Sequence, residues 1–219
     1  MFCHLLTTPF IQPLSPDSRV SDALSRMEDA KVSNLPVVED GGFLGLVSES
    51  SLLDSDPESP VSSLQAHYLP AMVRPSDLFT AAVRCMMSMH ADLVAVVDEK
   101  GGYEGVVNRE ALFTVAADFG GMTDVGSVLV LELERASYSP GEICRIVESN
   151  DALLTQLHTR SEPGSTLLTV LLRVNREDVS GLVAAFKRHG YAVLHQQGQD
   201  VGRDELISNL ENLMNYLNV

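Results

Sequence analysis

Polar residues that can do chemistry gather at one kind of place in this 219-residue sequence, just behind a glycine pair and a short apolar run. In "GGFLGLVSESSLLD", Gly45 is followed by Leu46, Val47, Ser48, Glu49, Ser50 and Ser51. A hydroxyl at the end of a strand, with a helix starting behind it, can take a phosphate, because the first N–H groups of a helix lack partners inside it. The same hydroxyl can equally cap that helix. In "GGYEGVVNREALF", Asn108 stands in the place of Ser48 and Ala111 in the place of Ser51, while Arg109 adds a cation. Cap and ligand contact are both open readings of these positions.

Other chemistry does not assemble. His4, His67, His90, His158, His189 and His195 have no metal-ligand spacing among themselves or with Cys3, Cys85 and Cys144. No zinc-protease, nucleophile-elbow, Walker or dinucleotide pattern occurs, and "GGFLG" lies between apolar runs instead of ahead of a helix. The carboxylates are scattered over polar faces. The expectation is a protein that is not an enzyme, with no metal and no required cofactor.

Charge excludes further classes. The chain has 30 acidic and 15 basic residues. Up to Phe119 there are 17 acidic and 7 basic; beyond it, 13 and 8. Neither half carries the basic footprint of a nucleic-acid binder, and an acidic surface repels anionic lipid. Three well-separated cysteines fit reduced thiols in a cytoplasmic protein. No apolar run approaches the ~20 residues of a spanning helix.

The elements that must position these residues come as a repeat. "SPDSRVSDALSRMEDAKV" places Val20, Ala23, Leu24 and Met27 on one helical face, with capping residue types ahead of them. "LPVV" reads as a buried strand, Gly41-Gly42 as a tight turn and "FLGLV" as the return strand. The pattern recurs about 60 residues later in "PSDLFTAAVRCMMSMHADLVAVVDEKGGYEGVVNREALF". Gly101-Gly102, Tyr103 and Gly105 there answer Gly41-Gly42, Phe43 and Gly45. Met86, Met87 and Met89 read as adaptable core or as contact between the copies. Neither copy can bury its apolar face alone, so the two should pack together.

This order of elements resembles a CBS (cystathionine-β-synthase) motif, and the tandem resembles a CBS pair, or Bateman module, with copies at 1–58 and 59–120. The resemblance implies a cleft for an adenosine-type ligand: AMP, ADP, ATP or S-adenosylmethionine. Leu35 and Pro36 would lie against the base, Gly45 would begin the family's Gly, two-apolar, hydroxyl pattern at the strand end, and Ser48 would hold phosphate. The family pattern has an Asp three residues on for the ribose; this chain has Ser51 and, in the second copy, Ala111. Asn108 and Arg109 would be the second copy's contacts. The first copy keeps more of the pattern and is the favoured site.

After Gly126 the grammar becomes β-α-β-β-α-β, a ferredoxin-like order. "SVLVLELE", "DALLTQLHTR", "TLLTVLLRV" and "YAVLHQ" are the strands; "SPGEICRIVESN" and "NREDVSGLVAAFKRHG" carry the helices, with Asn175 expected as a cap and Gly190 as a stop. Residues 126–198 resemble an ACT domain. That resemblance implies chain pairing and an amino acid or metabolite held at Ser139, Pro140 and Gly141, where the family often has Asp or Asn in place of Ser139. Leu206, Leu210, Leu213 and Leu217 form a stripe on an amphipathic helix over 202–219, packing on its own chain or across a dimer. A CBS pair ahead of an ACT-like domain resembles the acetoin-utilisation regulatory proteins. The expected fold is α/β (α+β). The expected function is a regulatory ligand sensor, homodimeric and acting on a partner protein, or a degenerate scaffold that keeps the folds for dimerisation and partner contact.

Overall fold

The computed structural model describes residues 1–197, so the leucine-striped tail at 202–219 lies outside the described residues. The chain mixes helix and sheet, and it divides into two compact units, Met1–Phe119 and Gly120–Val219.

In the first unit a 3₁₀ turn (Cys3–Leu6) precedes α1 (Val20–Ala30), the hairpin β1 (Asn34–Glu39) and β2 (Gly42–Ser48), and α2 (Glu49–Leu53). A second 3₁₀ turn (Val61–His67) leads into β3 (Met72–Val73), α3 (Phe79–Met89), the hairpin β4 (Leu93–Val97) and β5 (Tyr103–Asn108), and α4 (Arg109–Phe119). Helical spacing does what the sequence predicts. α1 buries Val20, Ala23 and Met27, and α3 buries Phe79, Ala82 and Met86 at the matching places. The two helices stop alike, at Lys31 and His90 in the left-handed region. The methionine stripe divides: Met86 is buried, Met89 packs against the shared core, and Met87 is 72% exposed.

One expectation about α1 fails. The Ser/Asp-rich approach does not cap it; Arg19 occupies the cap position and no side chain bonds there. The free N–H groups of Val20 and Ser21 instead donate to the carbonyls of Ser59 and Pro57, 3.0 Å each. A returning loop has replaced the local cap, which a sequence window cannot show.

The two repeats share one core. Val20, Met27, Leu35, Val37, Leu46 and Leu52 of the first pack in one cluster with Ala91, Leu93 and Val106 of the second. The hairpin tips clasp each other: Phe43 N–H donates to Gly101 O (3.0 Å), and Tyr103 N–H donates to Gly41 O (2.8 Å). The two rings stack with centroids 6.4 Å apart. Gly45 and Gly105 have near-identical backbones, φ +150° and +147°. Each sits where its hairpin register slips, opposite Val37 and Val96. Each is covered by a segment that precedes a repeat. Tyr68 Cβ would lie 2.6 Å from a Cβ on Gly45, and Thr7 Cβ would lie 3.1 Å from one on Gly105.

In the second unit β6 (Ser127–Glu134), α5 (Pro140–Glu148), β7 (Leu154–Arg160), β8 (Leu167–Val174), α6 (Ser180–Arg188) and β9 (Ala192–Gln197) follow in order. The sheet order is β7-β8-β6-β9 and all neighbours are antiparallel, the ferredoxin-like arrangement. Leu129 and Leu131 of β6 and Val170 and Leu172 of β8 pack on Ile143 and Val147 of α5 and Phe186 of α6. Gly190 ends α6 at φ +84° as expected. Asn175 does not cap α6, which starts only at Ser180. Its side chain accepts from Leu153 N–H (2.7 Å), while its own N–H donates to Leu153 O (3.2 Å). Asn175 therefore fastens the end of β8 to the start of β7.

Candidate functional site

The chemistry-bearing positions of the two repeats fall on equivalent strand ends, yet their surroundings differ. At the end of β2, Ser48 Oγ accepts from Ser51 N–H (3.3 Å) and lies 2.8 Å from Ser51 Oγ and 3.1 Å from Ser50 Oγ. The hydroxyl is a helix cap, and α2 behind it is only five residues long. Gly45 is tucked under Tyr68, and Leu46 exchanges both backbone hydrogen bonds with Leu69 (2.8 and 2.9 Å). Pro36 is buried in β1, and its carbonyl accepts from Leu14 N–H (2.7 Å).

At the end of β5, Asn108 Oδ1 caps α4 by accepting from Ala111 N–H (2.9 Å). α4 runs eleven residues. In front of it opens a cavity of about 860 Å³. Asn108 and Ala111 form one wall, Leu35 of β1 reaches it from the other repeat, and Thr7, Thr8 and Phe10 of the leading segment close the far side. Thr8 is held there by its N–H donating to Val106 O (2.8 Å). Phe10 is 89% exposed at this rim. Four charged side chains also line the cavity: Arg26, Asp29, Glu110 and Asp118. The Arg26 guanidinium is already engaged, donating to Gln12 O (2.5 Å) and Pro13 O (3.2 Å).

Of the positions read from sequence, Leu35 and Asn108 line this cavity together; Pro36, Gly45, Ser48 and Ser51 do not, and neither does Arg109. Arg109 pairs with Asp92 Oδ1 at 2.5 Å. The other oxygen of Asp92 accepts from Ser33 N–H (2.8 Å), and Asp92 N–H donates to the buried Asn34 side chain (3.1 Å). Arg109 is thus tied into the joint between the repeats. It borders a separate apolar hollow with Met86, Met87, His90 and Phe113. The sequence favours the first copy; this cavity lies at the second, and a separate hollow at the first is lined by Leu24, Met27, Lys31, Glu49 and Leu53.

Local pattern missed Phe10, Thr7, Arg26 and Asp29. "LLTTPF" has neither helical nor strand period, and its partner strand lies about a hundred residues away. One signal was available: Thr7-Thr8-Pro9 occupies the place before the first repeat that Tyr68-Leu69-Pro70 occupies before the second.

Burial pushes the Tyr103 phenol up to about 12, and its hydroxyl is buried with no hydrogen-bond partner. Its counterpart Phe43 has no hydroxyl to satisfy. At the second unit's turn, Ser139 Oγ accepts from Glu142 N–H (3.3 Å) and Pro140 is the first residue of α5. Gly141 is exposed, and a side chain there would meet nothing within 4 Å. Glu142 also accepts from Tyr191 OH (3.2 Å). Burial first, and then the Glu142 charge, raise that phenol. Among the described residues no group of three His, Cys, Asp or Glu is placed to hold a metal ion, no helix is long and apolar enough to cross a membrane, and all three cysteines are free.

Comparison with known proteins identifies a CBS domain at residues 4–58. No match was found among curated proteins. Solved structures similar to this chain include a CBS domain pair/ACT domain protein from Thermotoga maritima, at 22% identity and TM-score 0.49 over 54% of this chain and 98% of that one. A putative acetoin utilization protein from Vibrio cholerae is similar at 20% identity and TM-score 0.48, over 56% and 95% of the two chains. CBSX2, a CBS-pair protein from Arabidopsis thaliana, is similar in its complex with AMP at 25% identity and TM-score 0.47, over 54% and 98%.

Proposed function

We propose that this protein is a non-catalytic regulatory sensor whose ligand, an adenosine-type nucleoside or nucleotide, binds in the cleft of the second repeat. The observation that carries this reading is the cavity of about 860 Å³ in front of α4. Pockets of this volume suit small ligands when a largely apolar lining carries a few polar groups. Leu35 supplies apolar wall, and the Asn108 and Thr8 side chains supply polar atoms. The CBS domain matched at 4–58 contributes Leu35 and the leading segment to the same cavity. The AMP, ADP, ATP and S-adenosylmethionine expected for a Bateman module are the candidates. The ferredoxin-like unit would pair two chains, and its exposed Pro140–Gly141 turn is the place for a second, amino-acid-like ligand.

Regulation by such a ligand requires it to bind one arrangement of the protein better than another. Thermal unfolding of the full chain with each candidate tests the reading. At ~100 times Kd, binding stabilises by about 2.7 kcal/mol. Ala111→Asp restores the ribose-type carboxylate on the cavity wall, and a gain in nucleoside affinity of about tenfold is expected, as for a charge-assisted hydrogen bond of roughly 1.5–3 kcal/mol. No thermal shift with any candidate at millimolar concentration, in either protein, rejects the reading. A specific observation favours a second reading. Ser48, which the resemblance gave to phosphate, and Arg109, the second copy's cation, are committed to Ser51 and Asp92. On that reading the folds serve dimerisation and partner contact alone, and a partner captured with no ligand response supports it.

A further inference from the structure

The charges around the cavity narrow the ligand. We infer that the cleft selects a planar nucleoside carrying no net negative charge, a neutral nucleoside or a sulfonium-type cation, and rejects polyphosphate. This rests on the nucleoside reading above and deepens it. Three carboxylates, Asp29, Glu110 and Asp118, line the cavity against one guanidinium. That guanidinium, on Arg26, is spent on the carbonyls of Gln12 and Pro13. Arg109, the cation nearest in sequence, is bonded to Asp92 and borders a different hollow. The start of α4 would attract an anion, but Glu110 sits in its first turn and offsets that partial charge. The whole chain, at net −15, adds a field of the same sign. Among the described residues, therefore, no side chain lining the cavity offers a free cation to a triphosphate. A planar ring is provided for separately: Phe10, 89% exposed at the rim, presents an unused aromatic face on which a base can stack.

Calorimetric titration of the full chain with adenosine, S-adenosylmethionine and ATP at one low ionic strength tests the inference. Adenosine or S-adenosylmethionine binds at least about tenfold tighter than ATP, the effect of roughly 1.4 kcal/mol of repulsion at a partly screened site. Glu110→Gln with Asp118→Asn, both exposed positions, closes that gap by about tenfold through a gain in ATP affinity. Phe10→Ala weakens adenosine by about fivefold or more. ATP binding as tightly as adenosine, or a gap unmoved by the double variant, overturns the charge filter while the nucleoside reading stands. If none of the three probes binds, the nucleoside reading itself falls and takes this inference with it.

Discussion

The ends of β2 and β5 began from one pattern and now differ in what covers them. The first is closed by Tyr68 over Gly45 and ends in a serine cluster bonded to itself. The second lies under the smaller Thr7, ends in a single asparagine cap, and faces open space ahead of a helix twice as long. A duplicated fold thus keeps its backbone geometry, φ included, while side chains brought in from distant segments change what surrounds each strand end.

The largest expected effect separates the two glycines. Gly45→Ala should cost about 2–4 kcal/mol in urea unfolding, combining positive-φ strain with a clash against the Cβ of Tyr68, which cannot swing away. Gly105→Ala should cost about 1–2 kcal/mol, because Thr7 need give only a few tenths of an ångström. Equal losses would mean that the covering residues do not set the difference. Next come the caps. Asn108→Ala should cost about 1 kcal/mol of stability, since it removes the only side-chain partner shown for the Ala111 N–H. Ser48→Ala should cost less than that, as α2 is short and Ser50 and Ser51 carry hydroxyls at the same turn.

Tyr103→Phe makes the clasped tips alike, Phe on Phe. It removes a buried hydroxyl without a partner, so stability should rise by up to about 1 kcal/mol. It also bears on pH. The wild-type phenol titrates near 10 when unfolded and about 12 when folded. The folded state therefore holds the extra proton between those values, so this group leaves stability unchanged with pH below ~10 and lowers it as pH rises from ~10 towards ~12, because the unfolded chain ionises first. The variant should lose less stability than wild type over that window in alkaline unfolding. The smallest effect belongs to Arg109→Ala: its side chain is 68% exposed, so the pair with Asp92 should contribute at most about 1 kcal/mol, fading with added salt.

The repeat, its hairpins and the βαββαβ order were legible because each rests on short-range regularity: the Val20–Met27 spacing, the glycine pairs, and Gly190 after α6. Glycines at 45 and 105 could be matched by eye because the backbone demands them in both copies. The caps at Arg19 and Asn175 were not legible. There the partner of the backbone is a loop or strand far along the chain, so residues with capping chemistry stand nearby without doing that job. The site was half legible for the same reason. Leu35 and Asn108 belong to the repeated grammar, whereas Thr7, Thr8 and Phe10 reach the cavity through the leading segment's pairing with β5.

That pairing has a consequence for how the first unit behaves. Residues Phe2–Thr8 bond to Leu78, Asp77, Pro75 and Val106 of the second repeat, while Leu69, which leads into the second repeat, bonds to Leu46 of the first. Each half is therefore completed by an arm belonging to the other, an intramolecular swap that makes the sequence repeat and the folding unit different objects. Severing the chain between them should yield two fragments that each lack an edge and refold only on mixing. A molecule seated against Phe10 and α4 would grip the first and last elements of this unit at once.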